Sequence, residues 1–119
     1  MKIIMTTISP GLDSEVDPRF GRGAYLLEVD PDTLAWQAHP NPGVSAAGGA
    51  GIQAAQFVAN QKVGIVISGD FGPYAFKALN AAGISMYLLG SCRTAHEALE
   101  HFKAGQLERV GAPTQAKHH

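Results

Sequence analysis

Arginine and glycine carry most of the chemistry that this chain offers. Arg19 and Arg22 flank Phe20-Gly21 inside Leu12 to Gly23 (LDSEVDPRFGRG), a stretch of mixed charge with one proline and two glycines. Arg93 follows Ser91-Cys92 further along. Guanidinium groups hold oxyanions or sulfide-rich anions through fixed forks of N–H donors. Glycines cluster at Gly48, Gly49 and Gly51, and again at Gly69 and Gly72 behind Ser68. Glycine lets backbone amides approach a ligand closely. The single cysteine, Cys92, is expected in the first turn of a helix beside Arg93. Both neighbours lower a thiol pKa, and the thiolate suits a soft metal such as copper(I) or iron. A lone cysteine is also commonly an inert, buried one. His39, before Pro40, is a second candidate ligand. His96 and His101 are five residues apart on one helix, a poor zinc pair, and read with Glu97 and Glu100 as a solvated face.

Other chemistries find less support. Gly48 to Gly51 lacks the lysine and Ser/Thr of a phosphate-binding P-loop and the spacing of a dinucleotide fingerprint. No Ser–His–Asp order falls at suitable loop positions. Asp13, Glu15 and Asp17 share one loop with no visible partner. The 119 residues carry 9 basic and 10 acidic side chains, a net charge of -1, so bulk charge makes no case for nucleic acid. One cysteine excludes an intramolecular disulfide. No apolar run reaches the ~18 residues of a membrane span, and the N-terminus lacks the pattern of a signal peptide. The chain reads as a single-domain, soluble cytoplasmic protein without membrane or nucleic-acid partners.

The elements that must position these residues follow from hydrophobic pattern and turn signals. Lys2 to Ile8 reads as a buried strand, stopped by Ser9-Pro10-Gly11. Ala24 to Val29 and Leu34 to His39 form a hairpin about Asp30-Pro31-Asp32. Helical spacing covers Ile52 to Asn60. Lys62 to Ser68 is a buried strand, a helix runs to Ala82, Ile84 to Leu89 is another strand, and Cys92 to Lys103 is the last helix. A hairpin followed by alternating β and α elements implies a mixed, mostly parallel sheet flanked by helices. Four loops then leave one edge of that sheet: Ser9–Gly23, Pro40–Gly51, Gly69–Pro73 and Gly90–Arg93. Ligands of open α/β sheets bind at this carboxyl edge, and helix N-termini there suit anions. The residues alone leave two readings open, an anion pocket or glycines that serve turns with arginines that serve solubility.

The strand KIIMTTI, the segment D-x-R-F-G-R-G, the run V-x-I-V-I-S-G-D-F-G-P-x-A with A-L-N-A-A-G-I, and the closing A-x-E-A-L-E-x-F-x-A-G-Q-L together resemble the nitrogenase iron-molybdenum cofactor biosynthesis accessory family. This is the NifX, NafY and NifB C-terminal type, which includes the molybdenum–copper-cluster orange protein. The resemblance spans about residues 1–107. It implies a ribonuclease-H-like three-layer α/β/α fold with a five-stranded mixed sheet. It also implies non-enzymatic binding of an anionic molybdenum-containing metal–sulfide cluster, of Mo–Cu–S or Fe–Mo–S type, with partner proteins for delivery. The family segments map onto Phe20, Gly21 and Arg22, onto Gly48, Gly49 and Gly51, and onto Ser68, Gly69 and Gly72. Two departures favour electrostatic capture over ligation: Arg19 stands where the family often has histidine, and Ser91-Cys92-Arg93 opens the last helix. A small enzyme acting on a phosphate or nucleotide in the same pocket is the alternative. Arg19, Arg22 and Arg93 are expected to form one cationic wall, residues 12–23 a mobile lid, and residues 108–119 a frayed tail.

Overall fold

The computed structural model describes residues 1–46 and 48–114. The strands are β1 (Ile3–Thr7), β2 (Tyr25–Val29), β3 (Trp36–Pro40), β4 (Ile65–Ser68) and β5 (Ser85–Leu88). The helices are α1 (Ala50–Ala59), α2 (Pro73–Ala81) and α3 (Ala95–Lys103), and a 3-10 turn spans Pro42–Ser45. The sheet order is β3-β2-β1-β4-β5. β1 pairs antiparallel with β2 and parallel with β4, and β2 pairs antiparallel with β3. β4 and β5 are parallel. β1, β3, β4 and β5 therefore share one direction, as the alternation predicts, and their carboxyl ends share one edge.

Strand alternation divides the core. Ile4, Leu26, Val66 and Met86 face Ala55 and Val58 of α1 and Ala75 and Leu79 of α2. Ile3, Met5, Leu27 and Ile67 face Ala95, Ala98 and Leu99 of α3. Every residue of β1 is buried, as expected of a central strand covered on both faces. Burying a Leu or Ile side chain contributes roughly 1.5–3 kcal/mol, so both layers are held by the sheet between them. No helix among the described residues is long and apolar enough to cross a membrane.

Two boundaries differ from the sequence reading. α3 begins at Ala95, because Gly90 takes a left-handed φ of 61° and Thr94 caps the helix by accepting the Glu97 N–H at 3.1 Å. Cys92 thus precedes the helix by a turn. The stretch expected to fray is ordered as far as residue 114. Glu108 C=O accepts the Leu88 N–H at 2.9 Å and Val110 N–H donates to Met86 C=O at 2.8 Å, which lays the segment antiparallel along the outer edge of β5. Val110 is buried in the α1–α2 layer, and its apolar side chain anchors the segment. Residues 115–119 of the expected tail lie outside the described residues.

Candidate functional site

The segment after β1 is fastened at many points. Thr7 bridges Val16, and Glu15 bridges Thr94. Val16 N–H donates to Arg93 C=O at 2.9 Å, and Asp17 N–H to Thr6 C=O at 2.8 Å. Ser14, Asp17 and Phe20 are buried. Residues 12–23 are therefore a packed connection and not the lid expected from their polarity. Their backbone hydrogen bonds and the burial of Phe20 offset the ordering cost that few apolar residues alone would leave uncovered.

That connection delivers Arg19 to Arg22 to the N-termini of α1 and α2. Gly21 backs onto the start of α1, where an added Cβ would lie 2.7 Å from the Gly51 nitrogen. Gly51 in turn approaches Ala75 of α2, 3.3 Å from the position its own Cβ would take. Small residues at these crossings let three chain segments close around a hollow of about 300 Å³. It is lined by Arg19, Phe20, Gly21 and Arg22, by Gly49 to Ile52, and by Asp70 and Gly72 to Ala75. Both helices begin at glycine, Gly49 and Gly72, with no side-chain cap. Their first-turn amides have no acceptor inside the helix, and both helix dipoles present positive ends here. Gly49 adopts φ 68°, the left-handed region that glycine tolerates. Phe20 packs against Phe71 with ring centroids 5.6 Å apart, which gives the hollow an apolar back.

The two arginines are held differently. Arg19 forms a bidentate pair with Asp17, Nε–Oδ1 at 3.0 Å and Nη2–Oδ2 at 2.9 Å. The Arg19 side chain holds the Asp17 carboxyl below the usual carboxylate range, against the opposing effect of its burial. Arg22 Nη1 donates to the carbonyls of Gly43 and Ala46 at 3.3 and 3.4 Å, which ties the guanidinium to the 3-10 turn while its side chain lines the hollow.

Arg93 lies elsewhere. With Cys92, Gly69 and Gly90 it lines a second hollow of about 670 Å³, whose rim carries Glu15 and Glu108. Pro18 abuts Gly69 so closely that a Cβ on Gly69 would overlap it, and Arg19 bridges Asp70. This contact walls one hollow from the other, so the single wall of three arginines is corrected to Arg19 and Arg22 on one side and Arg93 on the other. Ser68 lies behind the wall, buried and hydrogen-bonded to Thr6 at 2.8 Å. Gly48 and Ser91 are exposed, and neither lines these hollows.

The proposed metal ligands do not converge. His39 Nε2 meets Glu28 Oε1 at 2.8 Å, and its ring packs edge-on against Phe57. Burial opposes ionisation of Glu28, but hydrogen bonds from His39 and Lys2 prevail and keep its carboxyl below the ordinary value. The Cys92 thiol is buried and sits 3.0 Å from His101 Nδ1. Burial first, and the Glu97 charge second, push it up. The activated thiolate expected from a helix N-terminus is thereby corrected, since Cys92 is outside the helix. Among the described residues no three His, Cys, Asp or Glu side chains are grouped to hold a metal ion. Sequence reasoning missed Asp70 and Tyr74 in the smaller hollow, although Asp70 stands inside the SGDFGP run; it also missed the Asp17–Arg19 pair, legible as D-x-R.

A family model described as dinitrogenase iron-molybdenum cofactor matches residues 1–105. The apo form of the orange protein from Desulfovibrio gigas is 39% identical, with a TM-score of 0.89 over 95% of each chain. A putative NifB protein from Thermotoga, of the DUF35 family, is 27% identical, with a TM-score of 0.81 over 95% of this chain and 96% of that one. No curated protein matches this chain.

Proposed function

This chain belongs to the dinitrogenase iron-molybdenum cofactor family, and on that premise we propose that it binds and carries an anionic molybdenum-containing metal–sulfide cluster, of Mo–Cu or Fe–Mo type, as cargo and without turnover. One observation carries the reading: two uncapped helix N-termini and two arginines meet in one hollow with an apolar back. A sulfide-rich anion has diffuse charge and weak hydration, so it suits amide and guanidinium donors set against apolar surface. The donor set also argues for capture over ligation. Cys92 and His39 lie outside this hollow. Arg19, Phe20, Gly21, Arg22, Gly49, Gly51 and Gly72 are the residues assigned to the cargo. Delivery to a cytoplasmic partner protein belongs to the same reading. The order β3-β2-β1-β4-β5 with antiparallel β2 supports the ribonuclease-H-like description of the fold.

Tetrathiomolybdate, the simplest soluble anion of this class, provides the test. Molybdenum retained after gel filtration, with a shifted visible spectrum, is expected at low salt. Retention should fall in about 1 M salt, where the screening length drops to ~3 Å. Retention unchanged by salt and by Arg22→Ala would overturn electrostatic capture. Turnover of a phosphoester, with orthophosphate competing for the hollow, would replace the carrier by the enzyme alternative.

A further inference from the structure

The C-terminal segment reaches the anion hollow from behind. After pairing with β5 it runs past Phe76 and Asn80 of α2, where Arg109, Val110 and Gly111 border a shallow hollow. It arrives at the loop before α2. There Phe71 N–H donates to Thr114 Oγ1 at 2.8 Å, and Thr114 N–H donates to Phe71 C=O at 2.9 Å. These reciprocal bonds fix both peptide groups of Phe71. Phe71 is fully buried and stands between Asp70, which lines the anion hollow, and Gly72, the N-cap of α2. Residue 114 lies beyond the 1–105 span that the family model covers.

We propose that Thr114 is a positioning residue. It fixes the Phe71 peptide planes and, through them, the direction in which Gly72 and the first amides of α2 face the hollow. The consequence for affinity rests on the anion reading above. The mechanism is local. Gly72 has no side chain to cap the helix, and glycine as a residue type has the greatest intrinsic backbone freedom. The loop after β4 is also tied by the Gly69 and Asp70 N–H bonds to Pro18 C=O, at 3.1 and 3.0 Å. With both ties present, residues 69–71 are held and the amides that follow are preorganised, which reduces the ordering cost of binding.

Two substitutions in the full chain test this. Thr114→Val removes the hydroxyl acceptor and keeps the side-chain shape and the backbone bond. Thr114→Ser keeps the hydroxyl. Amide exchange at Phe71, Gly72 and Tyr74 is measured without any ligand, beside tetrathiomolybdate affinity and the urea midpoint. Thr114→Val is expected to speed exchange at these amides and to weaken affinity roughly three- to tenfold, the range for one hydrogen bond. Exchange in β1 and β2 should stay unchanged, and Thr114→Ser should restore both properties. Exchange at Phe71 to Tyr74 equal to wild type in Thr114→Val would overturn the proposal. So would a loss spread evenly over the whole sheet, which marks a structural role alone. Failure of the wild-type chain to bind tetrathiomolybdate, with the local exchange response intact, would overturn the anion reading and leave the positioning role standing.

Discussion

Gly21→Ala, compared with Gly48→Ala, probes how the hollow is built. A methyl group at residue 21 would lie 2.7 Å from the Gly51 nitrogen and 2.9 Å from Ala50 C and Gly51 Cα. All three are backbone atoms, so no rotamer change relieves the overlap. Reaching ordinary contact, which begins near 3.4 Å, requires the loop and α1 to separate by about 0.7 Å. Overpacking of this kind costs ~1–3 kcal/mol, against a gain of ~0.4–1 kcal/mol from a stiffer unfolded chain. The net expectation is a destabilisation of about 1–2 kcal/mol. With a urea slope of ~1–3 kcal/mol/M, the midpoint should fall by roughly 0.3–2 M. At residue 48 an added Cβ meets nothing within 4 Å, so the midpoint should hold or rise slightly. Urea unfolding followed by circular dichroism measures both. Affinity for tetrathiomolybdate should fall in Gly21→Ala, because the retreat opens the hollow between Arg22 and the α1 amides. Equal midpoints for the two variants, or a larger loss in Gly48→Ala, would refute the argument from close packing.

Arg22→Ala should weaken tetrathiomolybdate binding about tenfold at low salt, the scale of one charge-assisted hydrogen bond, and less at high salt. Arg93→Ala, on the far side of the Pro18–Gly69 contact, should leave affinity unchanged in the same titration. Asp17→Asn tests the pair with Arg19. The folded-state pKa of Asp17 is lowered, so its contribution is present above the ordinary carboxylate value near ~3.9 and is lost as pH falls through the lowered one. The stability gap between wild type and Asp17→Asn, read from urea midpoints, should be widest at neutral pH and close below about pH 4. Cys92 should alkylate slowly with iodoacetamide at pH 8, and at least ~10-fold faster in urea, because its thiol is buried and pushed up. Equal rates in the two conditions would show the thiol to be exposed.

The positions of the strands were legible because β1, β4 and β5 are short apolar runs bounded by glycine, proline or serine. The convergence of loops followed from the alternation of β and α. What the pattern could not show was which loops touch. Pro18 against Gly69 is a contact between residues 51 positions apart in the chain, and Arg93 lines a different hollow from Arg19 and Arg22. The start of α3 was misread because helical spacing continues back to Cys92. Gly90 at φ 61° and the Thr94 cap set the boundary, and Thr94 was a readable N-cap signal. The segment after α3 looked frayed because Val110 is one apolar residue among polar neighbours. Its burial depends on a gap beside α2 that only the folded layers create.

The hollow draws on residues 19–22, 49–52 and 70–75, segments far apart in the chain that meet only when β1 has paired with β4. Such long-range pairings form late and slowly compared with local contacts. An emerging polypeptide that ends before Ala75 has part of the donor set and no enclosure, and one that ends before Thr114 lacks the tie behind Phe71. On the proposed anion reading, full affinity is therefore expected only once both segments are in place. By mass action, a bound anion then adds about 2.7 kcal/mol to the folded state at a hundredfold excess over Kd. Loaded molecules should consequently outlast empty ones under proteolysis, and turnover of the protein would follow the supply of its cargo.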